Sequence, residues 1–133
     1  MREILFRGKT KEDGKWVYGG IFFFNGTTFI VCEEKIGLPK VKEVEETSIG
    51  QFTNILDKNG KKIFEGDIVK HFDNSDENYD IGEIYYDTKL LMWRRTTQGS
   101  FHKSPINSYK LSSDCIYEVI GDIHNNPELL KEG

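Results

Sequence analysis

The chain has 133 residues, 37% of them hydrophobic and 30% charged, with a formal net charge of −4. That is too apolar for disorder, long enough for one domain or two very small ones, and able to bury a core without disulfides or a structural metal. No apolar run approaches the roughly 20 residues that cross a bilayer as a helix.

The opening Met1-Arg2-Glu3-Ile4-Leu5-Phe6-Arg7 carries charge where a signal segment needs apolar residues, which predicts a cytosolic chain. Cys32 and Cys115 lie far apart and outside any paired ligand spacing, so both are expected as reduced thiols. There is no alanine, the best helix former, against 14 Ile, 6 Val, 8 Thr and 17 aromatic residues. The expectation is therefore an all-β chain of short strands and tight turns.

In chain order, a strand is expected at Arg2 to Arg7, a turn at Asp13-Gly14, and a second strand from Lys15. Ile21-Phe22-Phe23-Phe24 and Thr27-Thr28-Phe29-Ile30-Val31 flank Asn25-Gly26, a dipeptide that tolerates positive φ at both central positions of a two-residue hairpin. The pair Gly19-Gly20 inside an aromatic strand suggests a bulge or close strand packing. Lys35 to Lys42 reads as irregular around Gly37 and Pro39, and Val44 to Phe52 as extended. The polar turn Asp57 to Lys62 marks a candidate boundary, dividing a β subdomain at 1–55 from a second part at 56–133. Further strands are expected at Gly66 to Lys70, Gly82 to Asp87, Leu90 to Arg94 and Cys115 to Ile123. In the last of these, Tyr117, Val119 and Gly121 share one face. Asn126-Pro127-Glu128 opens a closing helical turn.

Few residues invite chemistry. His71 and Asp73, and likewise Asp122 and His124, would share a strand face as an acid–base or metal pair, but no further ligand lies near either. The acidic run from Asp73 to Asp80 has calcium-loop composition, yet both registers put the wrong residues at the glycine and glutamate positions. Neither a nucleophile elbow nor a phosphate-binding glycine loop is present. No catalytic residue, metal ligand or cofactor is assigned.

Aromatic and basic residues do cluster in sequence: Tyr85, Tyr86, Trp93, Arg94, Arg95 and Lys103 are the candidate binding residues, the raw material of a base-stacking face. The bland alternative places Trp93 and Tyr86 in the core or an interface and the arginines on a solvated edge. Residues 1–55 carry eight basic and eight acidic side chains, whereas 56–133 carry 10 against 14, so phosphate attraction is not favoured overall.

Two long segments resemble a known family. Gly50-Gln51-Phe52-Thr53 followed by Leu56 to Val69, and the closing run Tyr117 to Leu130, are similar to the signatures of the YopX family of phage and prophage proteins. Arg2 to Gly8 with Trp16-Val17-Tyr18-Gly19 is similar to the family's opening, so the resemblance covers nearly the whole chain. It implies an all-β molecule with a small Src-homology-type (SH3-like) β-barrel in its C-terminal part, preceded by a smaller β subdomain. It implies no activity, catalytic residue or cofactor. Phe52 and Asn54 stand where the family pattern has Tyr and Gly, and Asn54 can adopt the left-handed conformation that such a glycine supplies.

The expected role is a non-enzymatic protein-binding or self-assembling accessory module in a bacterial cytoplasm, contacting its own copies or a host or phage protein and no membrane. The exposed-looking Phe22-Phe23-Phe24 and Tyr85-Tyr86 carry that expectation. A nucleic-acid-binding accessory protein is the alternative. A hydrolase or metal enzyme using Asp67, His71 or Asp73 ranks last.

Overall fold

The computed structural model describes residues 2–72, 78–97, 108–112 and 115–130. Among them, eleven strands form two antiparallel sheets, and the chain divides into two compact units, Met1–Phe52 and Thr53–Gly133. The division falls inside a strand rather than in the polar turn that follows it. No described helix is long and apolar enough to cross a membrane.

The first unit holds β1 (Phe6–Lys9), β2 (Trp16–Phe24), β3 (Thr27–Lys35), β4 (Leu38–Glu43) and the start of β5 (Gly50–Leu56), in spatial order β4-β3-β2-β1-β5. Asn25 and Gly26 have φ of 53° and 79° and close β2 onto β3 with Phe24 opposite Thr27, the mirror-image turn that the dipeptide favours. At Gly19 a Cβ would lie 1.8 Å from the Val31 carbonyl oxygen, so close strand packing excludes any side chain there. Ile30, Cys32 and Val44 are buried, and Phe6, Val17, Ile21 and Ile49 pack against them.

Three local expectations need correction. The first strand begins at Phe6 rather than Arg2. The stretch expected to be irregular is the end of β3 and all of β4, with Gly37 at φ 80° making the turn. Pro39 survives there because β4 is an edge strand, where one missing N–H donor costs no ladder bond. The extended piece expected from Val44 is interrupted by a 3-10 turn at Glu46–Ser48, where the Ser48 hydroxyl donates to the Glu45 carbonyl and accepts the Lys9 N–H at 2.8 Å.

In the second unit β5 continues past Phe52 and pairs with β6 (Lys62–Phe64). The second sheet comprises β7 (Asp67–Phe72), β8 (Tyr79–Asp87), β9 (Met92–Thr96), β10 (Ser108–Lys110) and β11 (Ile116–Asp122), ordered β10-β9-β8-β7-β11. Its core is Ile63, Val69, Ile84, Leu111 and Tyr117, with Trp93 and Val119 packed against it. Each such side chain contributes about 1.5–3 kcal/mol by leaving water.

The expected closed barrel is not formed. The sheet stays open among the described residues, with β10 only three residues long and β11 at the opposite edge. The outward edge of β11 is occupied by the polar turn: Lys58 N–H donates to the Tyr117 carbonyl at 2.8 Å, and Val119 N–H to the Asp57 carboxylate at 3.1 Å. An edge covered in this way has less need of strand closure.

The turn residues behave as their chemistry suggests. Asp57 also accepts the Asn59 and Lys61 N–H groups, Gly60 and Gly66 take φ of 82° and 91°, and the Asp67 carboxylate accepts the Phe64 N–H at 2.7 Å. Asn54 is left-handed at φ 68°. A bulge between Val119 and Gly121 shifts the register of β11, so Gly121 opposes Ile68 and leaves the face that Tyr117 and Val119 share with His71 and Val69. That ends the uniform alternation expected for the strand. The closing turn at Pro127–Leu130 is 3-10, and the Asn126 side chain reaches back to the Asp122 N–H instead of capping it.

Candidate functional site

Two surfaces stand out, one in each unit. In the first unit, strand alternation sends Val17 and Ile21 to the core and leaves Tyr18, Phe22 and Phe24 on the opposite face of β2. Phe22 opposes Phe29 of β3 and stacks on it, with ring centroids 5.0 Å apart and planes 16° apart. Val31 opposes Val41 of the edge strand, which extends the same face. Phe24 at the hairpin end is 69% exposed, and its neighbour Phe23 is 68% exposed. Glu43 of β4 opposes Phe29 on this face, and Arg7 of β1 opposes Tyr18. At its margin Lys11 pairs with Glu43 at 3.0 Å, an interaction that raises the Lys11 pKa.

In the second unit, β7, β8, β9, β10 and β11 converge on a cleft of about 600 Å³ lined by His71, Tyr79, Asp80, Arg95, Tyr109 and Tyr117 among others. Arg95 is the hub. One terminal nitrogen donates to Asp80 Oδ2 at 2.9 Å, the other lies 2.9 Å from His71 Nδ1, and the guanidinium carbon sits 4.9 Å from the centre of the Tyr109 ring. A guanidinium only donates, so His71 Nδ1 must accept, which makes the imidazole neutral with its proton on Nε2. The His71 and Tyr117 rings are 5.4 Å apart. Tyr117 is fully buried, and burial pushes its phenol pKa up to about 12, with Cys115 adding to the rise and Ser112 N–H, donating to the phenol oxygen at 3.0 Å, opposing it.

Of the residues expected to form a binding face, the fold unites only some. Trp93 and Arg95 alternate with Arg94 along β9, and Tyr86 alternates with Tyr85 along β8. Trp93 packs on the core and meets Tyr86 edge-on at 5.0 Å. Arg94 and Arg95 are 8% and 5% exposed, and Tyr85 is buried. Arg94 reaches the Met92 sulfur at 3.5 Å, away from the cleft. Lys103 lies outside the described residues, as does Asp73.

Sequence reasoning missed His71 as an arginine partner, and missed Asp80, Tyr109 and Tyr117 as cleft residues. A signal existed: His71 follows Val69 by two, Arg95 follows Trp93 by two, and Asp80 precedes Ile84 by four, so each polar residue falls on the core-facing parity of its strand.

The Asp122–His124 pair has a structural explanation. The Asp122 carboxylate accepts the N–H groups of His124 and Asn125 at 2.9 and 2.8 Å and so forms the closing turn. Among the described residues no group of three or more His, Cys, Asp or Glu side chains could hold a metal ion. Both cysteines are free.

Over residues 5–131 the chain matches a family model described as YopX protein. A similar solved structure is the crystal structure of protein EF1440 from Enterococcus faecalis, 23% identical, covering 98% of this chain and 99% of that one with a TM-score of 0.55. At that identity the likeness is one of fold alone. No curated protein matches the chain.

Proposed function

The chain belongs to the YopX family, and from that premise we propose that it is a non-enzymatic accessory module that self-associates through the aromatic face of its first sheet. The observation that carries this reading is the stacked Phe22–Phe29 pair, continued by exposed Tyr18, Phe24 and Val41 on one face. A twofold dimer needs a single patch that is compatible with itself. The charge distribution favours a second copy as the occupant. Residues 1–55 carry eight basic and eight acidic side chains, so two such units meet without net repulsion. The edge strand β4 is a poorer contact, because Pro39 lacks a donor and antiparallel pairing about Val41 would set Lys40 against Lys42.

The non-enzymatic part of the proposal is supported by what the candidate chemical groups already do. Asp67 and Asp122 hold backbone turns, and His71 is bonded to Arg95. In this account the module acts in the cytoplasm of a bacterial host as a phage or prophage product.

The test is light scattering on the full chain and on a Phe22→Ser/Phe24→Ser variant. A dimer that becomes monomeric in the variant, with unchanged far-ultraviolet circular dichroism, supports the proposal. A wild-type monomer at high concentration, or a dimer indifferent to the double substitution, removes it.

A further inference from the structure

The chain contains two Asn-Gly pairs, Asn25-Gly26 and Asn59-Gly60, and the fold treats them differently. An asparagine followed by glycine is open to attack by its own main chain, because the glycine nitrogen reaches the side-chain carbonyl carbon with no Cβ in the way. The reaction needs space around the pair and a glycine N–H whose proton is available to be lost. Both pairs have the space: Asn25 and Asn59 are exposed, and a Cβ at Gly26 or Gly60 would have nothing within 4 Å.

The attacking nitrogen is where they differ. Gly60 N–H donates to the Asp57 carbonyl at 3.0 Å, and the Asp57 carboxylate accepts the Asn59 and Lys61 N–H groups at 2.8 and 2.9 Å. Asn59 is thus held between bonded neighbours, and its glycine nitrogen is engaged when it would have to lose a proton. Asn25 and Gly26, at φ 53° and 79°, are instead the two central residues of the β2–β3 hairpin turn, flanked by the pair Phe24 and Thr27. Such a turn bonds the residues before and after it and leaves the N–H of its second central residue towards solvent.

We propose that Asn25 is a site of self-catalysed deamidation, with water as the only co-reactant. The Gly26 nitrogen gives up its proton and bonds to Cγ of Asn25. The bond from Cγ to the amide nitrogen breaks, and ammonia leaves with that proton. Water then opens the five-membered imide at either carbonyl, and nothing is oxidised or reduced. One opening leaves aspartate at position 25, which adds a negative charge beside Phe24 to a half of the chain balanced at eight basic and eight acidic residues. The other carries the main chain through the former side chain and lengthens it by one methylene, which a two-residue turn cannot absorb without disturbing the register of β2 and β3. The chemistry requires no second copy, so it stands apart from self-association through the aromatic face.

The test is peptide-mapping mass spectrometry of the full chain after incubation at neutral and mildly alkaline pH, in buffer and in concentrated urea, repeated in buffer on Asp57→Asn. In buffer, Asn25 should convert at least about tenfold faster than Asn59, which reacts only from the fraction of molecules whose Asp57 turn has opened. Conversion of Asn25 should quicken with pH, as loss of the Gly26 proton requires, and should give both aspartate and isoaspartate peptides. In urea the two sites should react at similar rates. Asp57→Asn weakens the second turn and should speed Asn59 while leaving Asn25 unchanged. The proposal is overturned if Asn25 stays intact in buffer while converting in urea, if Asn59 keeps pace with it in the folded chain, if its lead is as large in urea, or if Asp57→Asn leaves Asn59 as slow as before.

Discussion

The Asp57 carboxylate accepts the N–H of Val119 at 3.1 Å, a bond that spans 62 residues of sequence. Its other oxygen accepts the N–H groups of Asn59 and Lys61, so one side chain shapes the turn and fastens it along the edge of β11. The turn belongs to one of the two family-like segments and β11 to the other. Their joint presence in the sequence therefore has a physical explanation, since neither edge nor turn is satisfied without its counterpart.

Replacing Asp57 with alanine removes the acceptor for three backbone N–H groups at once. Hydrogen bonds to an ionised carboxylate are among the stronger ones, and the expected loss is about 3 kcal/mol of unfolding free energy. Asp57→Asn keeps an acceptor oxygen and should lose roughly 1 kcal/mol. Urea denaturation of the three proteins distinguishes these values. Equal stability of Asp57→Ala and the parent would refute the role assigned to the turn.

Gly19 and Gly20 provide a paired experiment. A Cβ at Gly19 would fall 1.8 Å from the Val31 carbonyl oxygen, while one at Gly20 has nothing within 4 Å. Gly19→Ala should therefore cost more than about 2 kcal/mol through backbone displacement, and Gly20→Ala should stay within about 0.5 kcal/mol of the parent. Thermal melts of the two variants check this, and similar melting temperatures would contradict it.

Alkaline stability should report on Tyr117. Its phenol is pushed up to about 12 in the folded chain from an ordinary 10, chiefly by burial, so the unfolded chain releases this proton first. The stabilising contribution is complete below pH 10 and is lost as pH rises from 10 towards 12, on the order of 2 kcal/mol in all. Tyr117→Phe keeps the ring and removes the proton, so its stability should decline less over the same interval. Denaturation midpoints between pH 9 and 11.5 give the comparison, and parallel declines would exclude Tyr117 as the source.

Much of the fold was legible where one short segment determines its own geometry. Asn25-Gly26 predicts its hairpin because both residues tolerate positive φ, and Asp57 to Gly60 predicts its turn through side-chain acceptance of nearby N–H groups. β4 was not legible: Gly37 and Pro39 are breakers by composition, and only its position at the sheet edge makes the strand permissible. Barrel closure depends on what meets β10 and β11, which local sequence does not encode. The cleft was hidden for a related reason. His71, Asp80 and Arg95 come from three strands and meet through register, whereas adjacent Arg94 and Arg95 suggest one basic patch that alternation divides.

The Arg95 bond fixes the tautomer of His71, and nitrogen-15 NMR reads it directly. At neutral pH, Nδ1 should be unprotonated and Nε2 protonated. Arg95→Lys replaces a planar fork by a point charge that cannot hold Asp80 and His71 together, so the tautomer preference should weaken. A protonated Nδ1 in the parent chain would contradict the arrangement.

Sedimentation velocity across a concentration series addresses the central claim, self-association through the Phe22–Phe29 face, most directly. The account predicts a reversible monomer–dimer equilibrium that shifts to monomer when Phe22 and Phe24 are replaced by serine and is unaffected by Tyr109→Ser in the second unit. A single monomeric species at every concentration, or a dimer that ignores the phenylalanines, would contradict it.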